Sequence, residues 1–170
     1  MKRIISFKLY DKRVRQRIET HTYYTGEARK GAMMTPAAAA MMQASDDDST
    51  QLSDHLMIAC GEISRLLSRY IAICHIEQRK AIDDSKEKIT FFTLEVPANF
   101  PTEISSDIEA AIENYAVARV LQQWMAQHKP DETVLAANEV QQHTATLREL
   151  TLQRKRPTLH PHRSGKIIDI

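Results

Sequence analysis

Residues 97–128 read PANFPTEISSDIEAAIENYAVARVLQQWMAQH and contain the longest uninterrupted helical pattern in the chain. Pro97 and Pro101 end the segment that precedes the helix, because proline lacks an amide donor and disfavours a helical conformation in the residue before it. Thr102 or Ser105 is a suitable N-cap, and acidic residues follow at the positive end of the helix dipole. Apolar residues then recur every three or four positions as far as Trp124. The pattern predicts a long helix at the centre of the fold.

Length and composition indicate one domain with a modest core. The chain has 170 residues, of which 42% are hydrophobic and only 6% aromatic, which is typical of a single domain with a thin core. It has no run of about 18 apolar residues to span a bilayer. Residues 1–15 lack the apolar stretch of a secretory signal. We therefore expect a protein that is made in a cytoplasm and has no membrane partner.

The two cysteines, Cys60 and Cys74, both fall on a predicted helix. A rise of about 1.5 Å per residue would hold them about 21 Å apart, so free thiols are expected rather than a disulfide. The usual zinc-ligand spacings are absent among the cysteines and the seven histidines, and there is no glycine-rich phosphate loop. We predict no metal, no cofactor and no catalytic residue.

Charge is divided unevenly along the chain. Residues 1–30 carry nine Lys/Arg and three acidic residues, residues 31–147 carry eight and seventeen, and residues 148–170 carry six and two. Basic ends on an acidic body favour contact with nucleic acid, or docking of one copy's ends on the body of the next. The pattern is explained equally well if the charged residues simply lie on solvent-exposed faces that happen to divide in this way.

Residues 1–30 predict a strand followed by a basic helix. Apolar side chains alternate over residues 3–10, which is the period of a half-buried strand. A helical pattern covers residues 12–24, and Gly26 predicts its end. Most of its circumference is basic, and its other side holds Tyr10, Val14, Ile18 and His21.

Residues 31–48 form a separate segment that is rich in alanine and methionine. Methionine supplies adaptable apolar surface, so the segment is either a contact surface for a partner or a plain helix packed in the core. Its acidic end does not match a calcium loop, because Gln51 and Met57 occupy the positions of the required glycine and glutamate.

Residues 49–156 are expected to form the helical core. A second long helix is predicted over 49–77, with Gly61 marking a bend or the close approach of another backbone. A charged turn follows, and residues 89–96 predict a strand because they are rich in β-branched and aromatic residues. That strand must pair with residues 3–10, with a copy of itself from a neighbour, or with the tail.

The C-terminal part combines a polar helix with an arm. Asp131 is expected to cap a final helix that reaches about Arg154 and runs antiparallel to the preceding helix, because the connection is short. Its thin apolar stripe is typical of a helix that lies against other chains or in a wet channel. Residues 157–170 are interpreted as an extended arm that adds a strand to a neighbour's sheet, or as an unstructured terminus. The fold class that we predict is mainly α: a bundle of about four to five helices with a small β element and extended termini.

The order of elements resembles one known family. The residues that carry the resemblance are TFFTLEVPANFP (90–101), VARVLQQWM (117–125), HKPDE (128–132), VLAANEVQQHTATLREL (134–150) and QRKRP (153–157). They are similar to the head–tail connector (adaptor) proteins of tailed bacteriophages, above all to versions in phages and prophages of gut Bacteroidetes. The segment KLYDKRVRQRIETHTYYTGEAR (8–29) resembles the N-terminal helix of that set. The Ala/Met segment has no clear counterpart in the smallest members.

The resemblance implies a structural virion protein that is assembled in the host cytoplasm. Its copies would form a ring of about twelve beneath the portal and couple the portal to the tail proteins, while DNA passes through the centre. The expected subunit or partner contacts are Arg154, Lys155, Arg156, Ile167, Ile168 and Ile170. Contacts to DNA or to the portal are expected at Arg13, Arg15 and Arg17.

Two other functions remain open from the residues alone. One is a cytoplasmic helical regulator that binds nucleic acid through Arg13, Arg15 and Arg17. It predicts salt-dependent DNA binding by the isolated protein, which a pure adaptor should show only weakly. The other is a small enzyme that uses Cys74 or a histidine site, and thiol labelling of the native protein would then show a fast, low-pKa cysteine. The absence of a catalytic motif makes us expect that the protein is not an enzyme.

Overall fold

The computed structural model describes residues 2–29, 44, 48–80 and 86–154. Within them the chain forms four α helices and a three-stranded antiparallel sheet, which confirms a mainly α fold with a small β element. Short 3-10 turns at Thr102–Ile104 and Pro130–Glu132 precede the last two helices. The elements are β1 (Lys2–Tyr10), α1 (Asp11–Arg29), α2 (Ser49–Leu66), β2 (Ile71–Lys80), β3 (Lys86–Pro97), α3 (Ser105–His128) and α4 (Thr133–Leu152).

Helix α3 lies at the centre of the fold, as the sequence predicts. It contacts all three other helices and β1. Residues 115–118 are all buried, so apolar side chains lie on every side of the helix, as expected of one that its neighbours enclose. The expected cap is wrong. Position Ile104 precedes the helix without a side-chain cap, and the Ser105 hydroxyl donates to the Thr102 carbonyl at 2.7 Å.

The sheet has β3 in the middle, with β1 and β2 antiparallel on either side of it. Phe7 on β1 is directly opposite Phe92 on β3, and both are buried against the helices. Of the three pairings considered for residues 89–96, the one with residues 3–10 is therefore confirmed. The alternation in β1 places Phe7 and Leu9 in the core, which is the reason that this segment forms a strand.

The predicted helix over 49–77 is wrong beyond residue 66. Helix α2 ends at Leu66, residues 67–70 form a turn, and β2 begins at Ile71. Cys60 and Cys74 therefore lie on different elements, so the separation expected from a shared helix does not apply. The Ser64 hydroxyl on α2 lies 3.5 Å from the Cys74 sulfur on β2. Strand β2 forms because β3 pairs with it along most of its length.

Helix α1 is longer than predicted and its buried face is shifted. It runs through Gly26 to Arg29, so the glycine does not end it. His21 is exposed, and the buried position is Thr22, whose hydroxyl donates to the Ile18 carbonyl at 2.9 Å and accepts from the Ala44 amide at 3.2 Å. Most of the Ala/Met segment and the whole arm over 157–170 lie outside the described residues.

Candidate functional site

The arginines of α1 that we expected to contact DNA or the portal lie against polar side chains of this chain. Arg13 Nε and Arg17 Nη1 lie 3.2 Å and 2.8 Å from the two carboxylate oxygens of Glu113 on α3. Arg15 forms an ion pair within α1 and donates a hydrogen bond to the Ser53 hydroxyl on α2. Each of the three arginines therefore has intramolecular partners.

A polar cleft of about 320 Å³ opens beside these ion pairs, between β1, α1 and α3. Glu109 in its wall accepts a hydrogen bond from the Lys8 amide at 3.3 Å, which attaches β1 to α3. Two carboxylates offset most of the positive charge, so the cleft attracts a polyanion only weakly. The charged lining residues are Lys8, Arg13, Arg17, Glu109 and Glu113.

A second charged cluster joins α2 to α3. Arg119 makes a two-pronged ion pair with Glu62, in which Nε–Oε2 and Nη2–Oε1 are both 2.7 Å. The Tyr115 hydroxyl donates to the same Oε2 at 2.9 Å. The hydrogen bonds from Arg119 are the main reason that the pKa of Glu62 is lowered. Burial, followed by the bond to Glu62, raises the pKa of Tyr115 to about 12.

An open groove of about 390 Å³ lies over this cluster, between α2 and α4. Arg65 of α2 and Arg148 of α4 line it, beside Glu62 and Tyr115. Both arginines are exposed, and neither guanidinium forms a hydrogen bond or an ion pair in the ranges that the structure describes. Sequence reasoning missed this pair, because no local pattern brings together two arginines so distant along the chain.

Arg154, one of the expected partner contacts, is anchored on its own chain. Its guanidinium donates to the Tyr70 hydroxyl at 2.6 Å and lies 5.3 Å from the centre of that ring and 5.7 Å from that of Phe100. Tyr70 immediately precedes β2, so Arg154 lies beside the start of that strand. The remaining expected contacts lie outside the described residues: Lys155, Arg156, Ile167, Ile168 and Ile170.

Strand β2 lies at one edge of the sheet in the part of the chain that the structure describes. Among the described strands it hydrogen-bonds only to β3. Ile73 and Ile76 are opposite Thr93 and Thr90, so they lie on different faces of the sheet, and both are exposed. Ile76 also borders a largely apolar cleft of about 230 Å³ between α2 and the sheet. An edge strand with exposed isoleucines is a template for pairing with another chain.

The thiols and histidines show no sign of a reactive centre in the described part of the chain. Burial raises the pKa of Cys60 to about 11, so its thiolate is scarce at neutral pH. Burial is also the main cause that lowers the pKa of His55. Cys74 is exposed. No group of three or more His, Cys, Asp or Glu among the described residues could hold a metal ion.

In the parts of the chain with described structure, no helix has both the length and the apolar character needed to cross a membrane. Comparison of the chain with protein-family models, with curated proteins and with solved structures finds no match. Function is therefore inferred from the surfaces described above.

Proposed function

We propose that this protein is a structural component of a virion, a connector whose copies assemble into a ring between the portal and the tail and let DNA pass. The observation that carries the proposal is the open edge of β2, with Ile73 and Ile76 exposed on its two faces. A ring subunit needs two different surfaces that fit each other, and β2 has the properties of one of them.

The two edges of the sheet differ in a way that supports this role. At the β1 edge the Lys8 amide donates to Glu109, so α3 covers part of the edge. At the β2 edge no other strand among the described residues pairs on the outer side. Monomeric proteins usually protect an edge with charge, proline or a covering element. Residues 71–76 of β2 contain three isoleucines and no Lys, Arg, Asp or Glu.

The partner that we propose for β2 is the C-terminal segment 157–170 of a neighbouring copy. Its isoleucines, Ile167, Ile168 and Ile170, suit pairing with an apolar strand edge. Arg154 is fixed beside the start of β2, and from there residues 155–170 could span up to about 50 Å when extended. A tail that reaches the next sheet is a heterologous contact, which closes into a ring when it is repeated.

Helix α4 adds a further apolar surface. It is buried only at Ala136, Leu147 and Thr151, whereas Val134 and Leu135 are exposed. In the proposed ring the helices form the bundle that the sequence predicts, and the outer side of α4 lies against an adjacent copy.

Neither of the two other functions is supported by an observation as specific as the exposed edge of β2. The regulator depends on a free basic surface on α1, but Glu113 holds both Arg13 and Arg17. The thiol enzyme depends on a base beside Cys74, but the hydrogen-bond partner of that sulfur among the described residues is the Ser64 hydroxyl at 3.5 Å, which is not a base.

A pair of matched substitutions tests the proposal. Ile73→Lys places a charge on β2, and Ile4→Lys places the same charge on the same face of the sheet at β1. The two isoleucines are 59% and 73% exposed, so both variants should fold. We expect Ile73→Lys to abolish assembly with purified portal rings, as deletion of residues 157–170 should, while Ile4→Lys assembles normally in native mass spectrometry. Equal behaviour of the two variants would contradict the proposed role of β2.

A further inference from the structure

The ends of α2 and α4 gather four arginines into one basic patch, which we define as Arg65, Arg69, Arg148 and Arg154. Tyr70 joins the two helix ends. Arg154 donates to its hydroxyl at 2.6 Å, and the Arg69 guanidinium lies 6.0 Å from the centre of its ring. Arg65 is in the last turn of α2, and Arg148 is in the last two turns of α4. The groove joins Arg65 to Arg148, and Tyr70 joins Arg69 to Arg154, so elements far apart in sequence bring these cations near the C-terminal ends of α2 and α4.

The groove between Arg65 and Arg148 has an excess of positive charge. The acidic residue that lines it is Glu62, and Arg119 already engages both oxygens of that carboxylate at 2.7 Å. The arginines of the α1 cleft share their surroundings with two carboxylates, whereas Arg65 and Arg148 form no ion pair in the described ranges. Their donors are therefore available to a ligand.

We propose that this basic patch binds the phosphate backbone of nucleic acid, with Arg65 and Arg148 as direct phosphate contacts. A guanidinium presents several donors in a planar fork that matches phosphate oxygens. The groove is open to solvent, so a phosphate group can approach it from outside. Among the described residues that line it, Leu66 is the one aliphatic side chain, whereas a protein partner would be expected to find an apolar centre. These features favour a polyanionic backbone over an acidic peptide.

A purely structural role for these arginines makes a different prediction. Cations near the C-terminal end of a helix stabilise it by interaction with the helix dipole. If that were their only role, removing them would lower the stability of the protein and leave its affinity for nucleic acid unchanged. Stability and binding must therefore be measured on the same variants.

The inference deepens the proposed function, because it names the surface that would meet the DNA, and it rests on that function for the identity of the nucleic acid. Binding to the isolated chain does not require assembly, and its dependence on Arg65 and Arg148 rather than on Arg13, Arg15 and Arg17 distinguishes it from the binding expected of a nucleic-acid regulator. A failure of phosphate binding and a failure of ring formation are therefore separate results.

The experiment titrates a short fluorescent duplex DNA with the full-length protein at several salt concentrations. The test variant is Arg65→Gln with Arg148→Gln. The matched control is Arg3→Gln with Lys12→Gln, which removes two exposed charges outside the patch. We expect the test variant to bind roughly tenfold more weakly at low salt, with a salt dependence reduced by about two phosphate contacts. The control should bind like the wild type, and thermal unfolding should be similar for all three proteins.

Three outcomes would overturn the proposal. One is equal weakening by the test and control variants, which would indicate attraction by net charge alone. Another is unchanged affinity in a destabilised test variant, which would indicate the structural role. The third is binding of a poly-glutamate peptide of matched charge in preference to the duplex, which would assign the groove to an acidic protein partner.

Discussion

Glu62 on α2 and Arg119 on α3 are joined by two parallel hydrogen bonds of 2.7 Å, and the pair fixes the two helices to each other. Tyr115, one turn before Arg119, donates a third bond to the same carboxylate. Both partners of the ion pair are more than three-quarters buried. Such charge-assisted, two-pronged bonds in a partly desolvated position contribute more than an exposed ion pair.

Replacing Arg119 by alanine should lower the free energy of unfolding by about 2 kcal/mol, because Glu62 would stay partly buried without its main partner. Urea denaturation measures the change. The control is Lys2→Ala, which breaks the exposed Lys2–Glu95 pair and should cost about 0.5 kcal/mol or less. Equal losses in the two variants would contradict the structural role assigned to Arg119.

Glu62 should also make stability depend on pH. Its folded pKa lies below the ordinary value of 4.5, chiefly because of the hydrogen bonds from Arg119. Its contribution is therefore fully present above the unfolded pKa and is lost as the pH falls through the lower, folded pKa. We expect the stability difference between the wild type and Glu62→Gln to shrink as the pH falls below 4.5. A difference that stays constant from neutral to strongly acidic pH would refute this assignment.

The two cysteines should react at very different rates with a thiol reagent. Cys74 is exposed on β2, whereas Cys60 is buried and has a pKa raised to about 11 by its burial. Labelling of the native protein, followed by peptide mass spectrometry, should modify Cys74 first and Cys60 only after unfolding. The Cys74→Ser variant should label slowly. Similar rates at both positions in the native protein would contradict the position of α2 over the sheet.

Gly61 offers a way to stabilise α2. A β-carbon at this exposed helical position would have no described atom within 4 Å apart from its two chain neighbours and the backbone of its own helix. The expectation of close approach by another backbone is therefore wrong. Gly61→Ala should raise the free energy of unfolding by about 0.5–1 kcal/mol, because alanine loses less backbone entropy in a helix. Gly61→Val should give a smaller gain, and a loss of stability with alanine would contradict the open surroundings.

Helix α4 packs against α3, and Leu147 is the most completely buried of its residues. Leu147→Ala should cost about 2–5 kcal/mol, since it leaves a cavity in the core. Leu135→Ala on the same helix, where the side chain is 66% exposed, should leave stability almost unchanged. Thermal or urea unfolding of both variants checks the contrast. Similar losses would mean that α4 packs through a different face.

The central helix could be predicted because the information that specifies it is local. The apolar period from Ile108 to Trp124 and the prolines before it belong to one continuous segment, and the structure agrees over nearly its whole length. The N-terminal end of the helix differs from the prediction, because a 3-10 turn takes the place of the expected side-chain cap.

Strand β2 could not be predicted in the same way. Leu66, Tyr70 and Cys74 keep helical spacing, and residues 62–80 contain no glycine or proline that would end a helix. The hydrogen bonds to β3 decide the conformation of this segment, and such tertiary pairing overrides local preference. The open sheet edge was consequently missed as well.

The charged surfaces show the same limit. The arginines of α1 are evident in the sequence, but their pairing with Glu113 depends on how α1 packs against α3. The groove of Arg65 and Arg148 exists only because α2 and α4 end side by side. The number of charged residues in each segment predicts neither the α1 ion pairs nor the groove.

The mass of the full-length protein, measured by native mass spectrometry alone and after mixing with purified portal rings, tests most directly whether copies of this chain associate into a connector. The account predicts a closed assembly on the portal, of about 230 kDa for a ring of about twelve copies of the 19.4 kDa chain. A protein that remains a 19.4 kDa monomer in both conditions would contradict it.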